Sequence, residues 1–301
     1  MRFDDPSDDS TANVEDRRGE GRSYGGGGGG GGGIRLGLGG FLLLGVLSLV
    51  FRQNFFALLG GGSHASSRPA SGASPGAAPR EATGARAARE EELKKVAVRS
   101  FNDAQRFFGK EVRDRSRPYA DAKLVLFWDE TRSGCGAADA EMGPFYCPAD
   151  EKVYIDLGFY DELARRFKAP GDFAQAYVMA HEMGHHVQGV MGIEGKMRRE
   201  QRASPSRKNE LSVRLELQAD CFAGAWGHSA SQRGLLERGD VEEGLTAAAS
   251  VGDDRIQKMA GRRVSPESFT HGSAAMRTKW FKRGFDSGRF EDCDTFAASS
   301  L

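Results

Sequence analysis

The sequence lacks an excess of charge of either sign, because 42 Lys and Arg residues are balanced by 42 Asp and Glu residues. It also lacks a stripe of basic residues interleaved with aromatic ones. A protein that binds nucleic acid needs a positive surface to meet the phosphates. We therefore expect no nucleic-acid partner.

Apolar periodicity is missing from much of the first third of the chain. Residues 1–33 are polar and end in a run of glycines, and residues 60–91 are rich in Gly, Ser, Pro and Ala. Such compositions are typical of flexible chain, since they bury too little apolar surface to offset the entropy of folding. We predict a flexible Gly-rich tail over 1–33, a disordered linker over 60–91 and one folded domain over 92–301.

An apolar stretch lies between the two flexible segments. No residue from Leu36 to Phe51 is charged. A helix needs about 20 apolar residues to cross a bilayer, with 17–25 tolerated. The sequence therefore predicts a single transmembrane helix region over 34–59. Two arginines precede this stretch and two follow it, so the positive-inside rule gives no orientation.

The sequence has only four cysteines and no CxxC pair, which argues against a zinc ribbon. An even number of cysteines suits two disulfides in an oxidising compartment. We predict Cys135–Cys147 across a Gly- and Pro-containing loop, which leaves Cys221–Cys293. This pairing favours a single-pass protein of the inner (cell) membrane with its folded domain on the periplasmic, extracytoplasmic side. Four buried thiols in a reducing cytosol are the alternative.

The folded region combines one small group of strands with many helices. "AKLVLFWDE" and "EKVYIDLGFY" are typical of strands, and the second alternates apolar and polar residues. Helical spacing of apolar residues marks the segment from 92 onward, "DFAQAYVMAHEMGHHVQGVMG", "ELSVRLELQADCFAGAWGHSA" and two later segments. The order predicts an α+β fold, mostly helical, with a small sheet before the histidine cluster.

The histidine cluster "HEMGHH" has the spacing of a metal site. In a helix, His181 and His185 are one turn apart on the same face, and Glu182 can reach a water bound between them. This is the HExxH arrangement of two zinc ligands and a general base. His186 points about 100° away from His185. We therefore interpret His186 as a surface or supporting histidine and not as a ligand.

A catalytic zinc needs a third protein ligand and an open position. One known extension, HExxHxxGxxH, requires a glycine at 188 and a histidine at 191. The chain has Gln188 and Met191 there, which excludes the metzincin class. The other extension places a glutamate on a following helix, and "LELQADCFAG" offers one.

Glu216 lies among apolar residues in the middle of that helix, where an unpaired carboxylate is costly. We predict that Glu216 is the third metal ligand. Asp220, one turn later, would accept the N–H of a ligand histidine and fix its tautomer. A salt bridge from Glu216 to Arg214 or Arg233 is the alternative.

Several collinear motifs extend beyond the metal site. They are "GPFYCPADEKVYIDLGFYDEL", "AYVMAHEMGHHVQ", "ELQADCFAGAW", "SVGDDRIQ" and "SPESFTHGSAAMRTKWFKRGFDSG". Together they resemble the bacterial neutral zinc metallopeptidase family, a glutamate-ligand type of zincin with a Gly-rich N-terminal segment and one membrane span. The resemblance covers about residues 92–298. It implies a zincin-like fold, one Zn²⁺ per chain and a peptide or protein substrate.

The resemblance implies a membrane-anchored zinc metallopeptidase that hydrolyses peptide bonds by a zinc-activated water, with Glu182 as the general base. His271, in "SFTHGS", is our predicted donor to the oxyanion, and Tyr154 and Tyr177 are the alternatives. An edge strand from "PFYCP" or "KVYIDL" could pair with an extended peptide. Arg277 is interpreted as part of a solvated helix face, with binding of a substrate carbonyl or carboxylate as the alternative.

Two other functions fit the same residues. A catalytically idle domain could keep the zinc as a brace or bind a partner. A zinc hydrolase could also act on a non-peptide amide, such as a cell-wall amide. Structural zinc sites are usually closed and rich in cysteine, and an idle site has no need of Glu182. Both observations favour the peptidase.

Overall fold

The computed structural model describes residues 1–3, 5–19, 84–139 and 142–301. The predicted membrane segment, 34–59, lies outside these residues, as does the linker up to residue 83. Within the described ranges, no helix combines the length and the apolar character that crossing a bilayer requires.

The N-terminal residues pack on the folded domain. Strand β1 (Val14–Asp16) pairs in parallel with β2 (Lys123–Phe127). The Met1 side chain is buried, and Asn102 donates a hydrogen bond of 2.8 Å to the Asp8 carbonyl. The prediction of a flexible tail is therefore wrong for the described part of residues 1–19. Main-chain pairing and ion pairs hold this segment, and neither depends on the apolar periodicity that the sequence lacks.

Helix α1 (Gly84–Asp114) begins before the predicted start of the domain at residue 92. Residues 84–91 are therefore helical, and the predicted linker is too long at its C-terminal end. Apolar residues at helical spacing face the core, among them Leu93, Ala97, Phe101 and Phe108. The first turns carry mostly polar and small side chains, so periodicity does not reveal them.

The main sheet has the strand order β1-β2-β6-β5. Strand β6 (Lys152–Asp156) is parallel to β2, and β5 (Phe145–Cys147) is antiparallel to β6 at the edge. Strands β3 (Glu130–Ser133) and β4 (Gly136–Asp139) form a separate antiparallel pair. Because β6 is paired on both sides, "KVYIDL" is not an edge strand, whereas "PFYCP" contains one.

Helices make up the rest of the domain after the sheet. They are α2 (Gly158–Arg165), α3 (Asp172–Val190), α4 (Ile193–Ala203), α5 (Lys208–Gln232), α6 (Asp240–Ser250), α7 (Asp253–Met259) and α8 (Ala274–Ser287). Helix α5 packs against both α3 and α8. The predicted α+β class, mostly helical with a small sheet before the HExxH helix, is confirmed.

Glycines allow α5 to approach its two neighbours closely. A Cβ at Gly184 on α3 would lie 3.2 Å from the Ala219 Cα on α5. A Cβ at Gly224 would lie 2.0 Å from the Phe281 carbonyl oxygen on α8, which no side chain could tolerate. The backbone of α5 therefore lies close to those of α3 and α8, so that side chains from the three helices reach one another.

Both predicted disulfides are present, Cys135–Cys147 and Cys221–Cys293. The first lies beside the edge strand β5, which contains Cys147. The second joins the middle of α5 to the C-terminal segment after α8. Cys221 and Cys293 are fully buried, so this bond fastens the end of the chain to the helix that carries Glu216.

Candidate metal centre

Helices α3 and α5 bring the three predicted metal ligands together. His181 Nε2 lies 3.2 Å from Glu216 Oε2, and His185 Nε2 lies 3.6 Å from Glu216 Oε1. The two imidazole rings are perpendicular, with centroids 4.8 Å apart. One ligand atom from each residue lies within 4.8 Å of the others. The i and i+4 spacing on α3 and the close approach of α5 produce this geometry.

These three donors fit a zinc ion. Zinc binds imidazole nitrogen and carboxylate oxygen at about 2.0–2.2 Å, so tetrahedral ligands lie about 3.4 Å from one another. The distances from Glu216 to the two histidines, 3.2 and 3.6 Å, bracket this value. His181, His185 and Glu216 can therefore hold a metal ion and leave a fourth position free.

A second acidic cluster among the described residues does not match zinc chemistry. It consists of Asp172, Asp240 and Glu243, which offer oxygen atoms only. The Met1 nitrogen lies 2.9 Å from Asp172 and 3.2 Å from Asp240, so a cationic group already meets two of these carboxylates. Of the two clusters among the described residues, the one formed by His181, His185 and Glu216 is the one that combines nitrogen and oxygen donors.

Glu216 does not pair with either arginine considered from the sequence. Arg214 donates to Glu210 at 2.9 Å, and Arg233 donates to Asp103 at 2.8 Å. The Glu216 side chain is 13% exposed and faces the two histidines. The salt-bridge alternative for Glu216 is therefore wrong.

Asp220 supports His181 from behind, as predicted. Its Oδ1 lies 2.9 Å from His181 Nδ1, so that an Nδ1–H can donate to the carboxylate while Nε2 faces Glu216. The Tyr177 hydroxyl also donates to Asp220, at 2.5 Å. Asp220 is fully buried. Burial by itself raises the pKa of Asp220, but Arg277 and His181 hold it below its usual value.

Arg277 completes this buried charged group. Its Nε and Nη2 donate to the two Asp220 carboxylate oxygens at 2.7 and 2.8 Å, and Nη2 also donates to the Tyr177 hydroxyl at 3.2 Å. Arg277 is only 4% exposed. The interpretation of Arg277 as part of a solvated helix face is therefore wrong, because α8 turns this side chain towards α5.

His185 is supported by neutral amides. Its Nδ1 lies 2.8 Å from Gln188 Oε1, and the Gln188 amide donates to the Leu215 carbonyl at 2.7 Å and to Gln218 at 3.2 Å. Gln218 in turn donates to the Cys293 carbonyl at 3.1 Å. Gln188, which takes the place of the glycine in the metzincin pattern, thus orients His185.

Glu182 lies between the metal ligands and the edge strand. It is 8% exposed and accepts a hydrogen bond from the backbone N–H of Tyr146 on β5. Burial raises the pKa of Glu182 despite the nearby histidines. A carboxylate with a raised pKa is suited to take up a proton and release it again.

His186 does not face the metal site, but it is not a surface residue either. It is fully buried, with Nε2 donating to the Ala120 carbonyl at 2.8 Å and Nδ1 accepting from the Tyr146 hydroxyl at 3.2 Å. Burial lowers the pKa of His186, which favours the neutral ring. His186 therefore links the HExxH helix to β5, and the surface interpretation is wrong.

His271 lies on a loop that Asp253 organises. Asp253 Oδ2 accepts the backbone N–H groups of Thr270, His271 and Gly272 at 2.7, 2.7 and 3.0 Å. Asp253 Oδ1 lies 3.4 Å from His271 Nδ1. One buried carboxylate thus holds the loop backbone, and the Thr270 hydroxyl lies 3.0 Å from the same ring nitrogen of His271.

The charge on His271 acts on the metal site. Burial by itself raises the pKa of the Glu216 carboxyl, but the positive charges of His271 and His185 hold this pKa well below its usual value. Burial lowers the pKa of His271, but Glu216 and then Asp253 outweigh it and raise this pKa. The structure therefore places the His271 imidazole within electrostatic reach of Glu216.

The two tyrosines considered as alternatives to His271 are engaged elsewhere. The Tyr177 hydroxyl is buried against Asp220 and Arg277. The Tyr154 hydroxyl donates to Asp150 at 2.6 Å, and its ring stacks on Phe145. His271 contacts Asp253 and Thr270, and it stays the predicted donor.

The chain is similar to known proteins along most of its length. Residues 1–296 match the model of a family described as putative neutral zinc metallopeptidase. The chain belongs to this family. It is 46% identical to the uncharacterized protein YpfJ of Escherichia coli K12 over 292 residues, which cover 95% of this chain and 96% of the relative. The uncharacterized protein Mb2605 of Mycobacterium bovis is 43% identical over 194 residues, covering 61% of this chain and 65% of the relative. No solved structure matches.

Three residues that surround the candidate metal centre were not predicted from the sequence. Gln188 was used only to exclude a class, Arg277 was assigned to the surface, and Asp253 was given no role. Asp253 lies in the quoted motif "SVGDDRIQ", which was the available signal. Gln188 lies three residues after His185, within reach on the same helix, whereas Arg277 meets Asp220 across 57 positions of the chain.

Proposed function

We propose that this protein is a zinc-dependent peptidase of the zincin type. One Zn²⁺ would be held by His181, His185 and Glu216, and Glu182 would act as the general base. The observation that carries the proposal is the convergence of His181, His185 and Glu216 beside the buried carboxylate of Glu182. The family to which the chain belongs supports the same chemistry.

A bound zinc would lower the pKa of a water molecule and polarise the scissile carbonyl. Glu182 would take the proton from that water at its carboxylate and later pass it to the leaving amine. The raised pKa of Glu182 supports this transfer in both directions. Asp220 and Gln188 would keep the Nε2 atoms of the two histidines aimed at the ion.

His271 would donate a hydrogen bond to the oxygen that gains negative charge during attack. Its support is the loop held by Asp253, which removes freedom from both the backbone and the imidazole. Asp253 would thus be a positioning residue, since it contacts His271 and the loop backbone.

An extended peptide would bind along β5, which is one of the two edge strands of the main sheet. An edge strand offers unpaired N–H and C=O groups to a substrate backbone. The hydrogen bond from the Tyr146 backbone to Glu182 joins this edge to the general base. A peptide on β5 would therefore pass directly beside the reacting groups.

The setting that we propose is a membrane-associated protein on the extracytoplasmic side. Two disulfides within the domain support an oxidising compartment. The uncharged stretch within residues 34–59 supports contact with a bilayer.

Comparison of the parent with Glu182→Gln tests the hydrolase assignment. We expect the variant to keep one zinc per chain and to lose cleavage of a peptide library, read as new N-termini by mass spectrometry. Glu242→Gln, an exposed change on α6, is the matched control and should cleave like the parent. Cleavage by Glu182→Gln at the parental rate would overturn the assignment. If the parent cleaves cell-wall amides and not peptides, the protein is a hydrolase of non-peptide amides.

Metal analysis tests the ligands separately from activity. His185→Ala and Glu216→Ala should each lose zinc, whereas Asp253→Asn should retain it. We expect Asp253→Asn to lower kcat by about 10–100-fold, because a partner that orients a functional side chain is typically worth about that much. Full zinc occupancy in both ligand variants would contradict the ligand set.

A further inference from the structure

The two faces of the main sheet are buried by different parts of the chain. Alternate residues of β2 and β6 belong to the large core that also includes the helices. The residues between them face the other way, where Val125, Phe127, Cys147 and Tyr154 form a smaller cluster. Cys135, in the turn between β3 and β4, packs against this cluster. The hairpin β3–β4 therefore reaches the outer face of the sheet through Cys135.

Strand β5 is short and has a weak hold on the sheet. Its three residues pair with β6, from Phe145 opposite Tyr154 to Cys147 opposite Lys152. A short strand at the edge of a sheet opens more readily than the core does, because few hydrogen bonds and few buried contacts resist the opening. The position of β5 therefore depends on its other attachments.

Successive residues attach β5 from opposite faces of the sheet. The Tyr146 hydroxyl donates to His186 Nδ1 on α3 at 3.2 Å, and the Tyr146 backbone N–H donates to Glu182. Cys147 points the other way, as neighbours in a strand do, and is bonded to Cys135. The strand is thus fastened to the HExxH helix on one face and to the hairpin β3–β4 on the other.

The hairpin that carries Cys135 is itself anchored at two places. The Gly134 N–H donates to Asp150 Oδ2 at 2.7 Å, in the turn between β5 and β6. Arg17 Nη1, just after β1, donates to the Arg132 carbonyl at 2.9 Å. Because the hairpin is held by both ends of the main sheet, the disulfide fixes β5 relative to the rest of the sheet.

We propose that the Cys135–Cys147 disulfide positions β5 to receive the substrate. This inference rests on the proposed function, in which a peptide pairs with β5. Cys135 and Cys147 act through the strand and are positioning residues. When the bond is open, β5 leaves its place for part of the time, and the apparent affinity for a peptide falls by that fraction. A bound peptide pairs with β5 and restores its position, so turnover at saturation changes little.

The two disulfides differ in how easily a reductant can reach them. Cys147, Cys221 and Cys293 are fully buried, whereas Cys135 is half-buried. A dithiol should therefore open Cys135–Cys147 first. Dithiothreitol breaks the Sγ–Sγ bond, leaves two cysteine thiols and is itself oxidised to a cyclic disulfide. Mild reduction of the folded parent thus tests the same bond as a substitution does.

Amide hydrogen exchange of the zinc-loaded full chain measures the position of β5 directly. In Cys135→Ala/Cys147→Ala, the Tyr146 amide should exchange about 10–100-fold faster, while amides around Glu216 keep the parental rate. The mildly reduced parent should behave in the same way, which covers the case of a variant that fails to fold. Arg132→Ala, an exposed change on the hairpin, is the matched control and should match the parent. Parental exchange at Tyr146 in both opened forms would overturn the proposal.

Steady-state kinetics tests the role of the bond in substrate binding. Opening it should raise KM for a peptide by about threefold to tenfold, with kcat within about twofold of the parent and zinc retained. Reoxidation of the reduced parent should restore KM. A parental KM, or a fall in kcat with KM unchanged, would contradict the positioning role. If the parent cleaves no peptide, the proposed function fails, whereas exchange at Tyr146 still decides whether the disulfide holds β5.

Discussion

The two histidines of the candidate metal centre are supported by regions of different chemistry. Behind His181 lies a buried charged group in which Asp220 accepts from Arg277 and Tyr177. Behind His185 lies a chain of neutral amides that runs from Gln188 through Gln218 to a backbone carbonyl. The two imidazoles are one helical turn apart. The orientation of His181 depends on charged groups, and that of His185 depends on neutral dipoles.

This difference has consequences for stability. Removing one partner of a buried ion pair leaves an uncompensated charge and costs about 3–5 kcal/mol. Removing one neutral partner leaves an unsatisfied dipole, which costs about 1–3 kcal/mol. The region behind His181 should therefore be the more sensitive one, and substitutions on the two sides can be ranked.

The largest effect is expected for Arg277→Met, which leaves the fully buried Asp220 without its bidentate partner. The free energy of unfolding should fall by about 3–5 kcal/mol, measured by urea denaturation with tryptophan fluorescence. Lys279→Met, an exposed change on the same helix, should stay within about 0.5 kcal/mol of the parent. A loss below about 1 kcal/mol for Arg277→Met would mean that the charged group is not a stabilising unit.

Asp220→Asn should come next, since it keeps the size of the side chain and removes the charge. Because the asparagine oxygen can still accept from Arg277, we expect a smaller loss of about 1.5–3 kcal/mol in stability. The affinity for zinc should be roughly 10–100-fold weaker, measured by competition with a chelator. Combining Asp220→Asn with Arg277→Met should recover part of the combined loss, because the two residues act as a pair. Strict additivity of the two changes would argue against their coupling.

Gln188→Leu tests the neutral side. It removes the acceptor for His185 Nδ1 and leaves the Leu215 carbonyl without its donor. The expected loss is about 1–2 kcal/mol in stability and about tenfold in zinc affinity. If Gln188→Leu is as damaging as Arg277→Met, then the contrast between the two regions does not hold.

The smallest effect is expected for Gln218→Met, which acts at the far end of the amide chain. Its loss should be about 0.5–1 kcal/mol, with zinc affinity unchanged because Gln188 still contacts His185. Chelator competition is measured on Gln218→Met and on Gln188→Leu separately. The comparison distinguishes a loss of the hydrogen bond to His185 from a loss of packing. A large drop in zinc affinity for Gln218→Met would extend the supporting chain to the C-terminal segment.

Much of the candidate centre could be predicted from the sequence. His181, Glu182 and His185 follow from the spacing of one helix, and Glu216 with Asp220 follows from the cost of acids in an apolar helix. Arg277 and Asp253 could not be given their roles in this way. Arg277 meets Asp220 across 57 positions of the chain, and Asp253 meets His271 across 18. Contacts at such separations leave no periodic pattern in the sequence.

The sequence by itself determined which helices carry the candidate metal ligands, whereas the pairing of the four cysteines was one choice among three that the structure bears out. Helical spacing and the inventory of buried polar groups are local properties, and they are present in the order of the residues. Only the tertiary structure decided that the described part of residues 1–19 belongs to the domain, that β5 is an edge strand and that α8 supplies the partner of Asp220. These depend on backbone pairing and on the close packing of α3, α5 and α8, which bring together residues that are far apart in the chain.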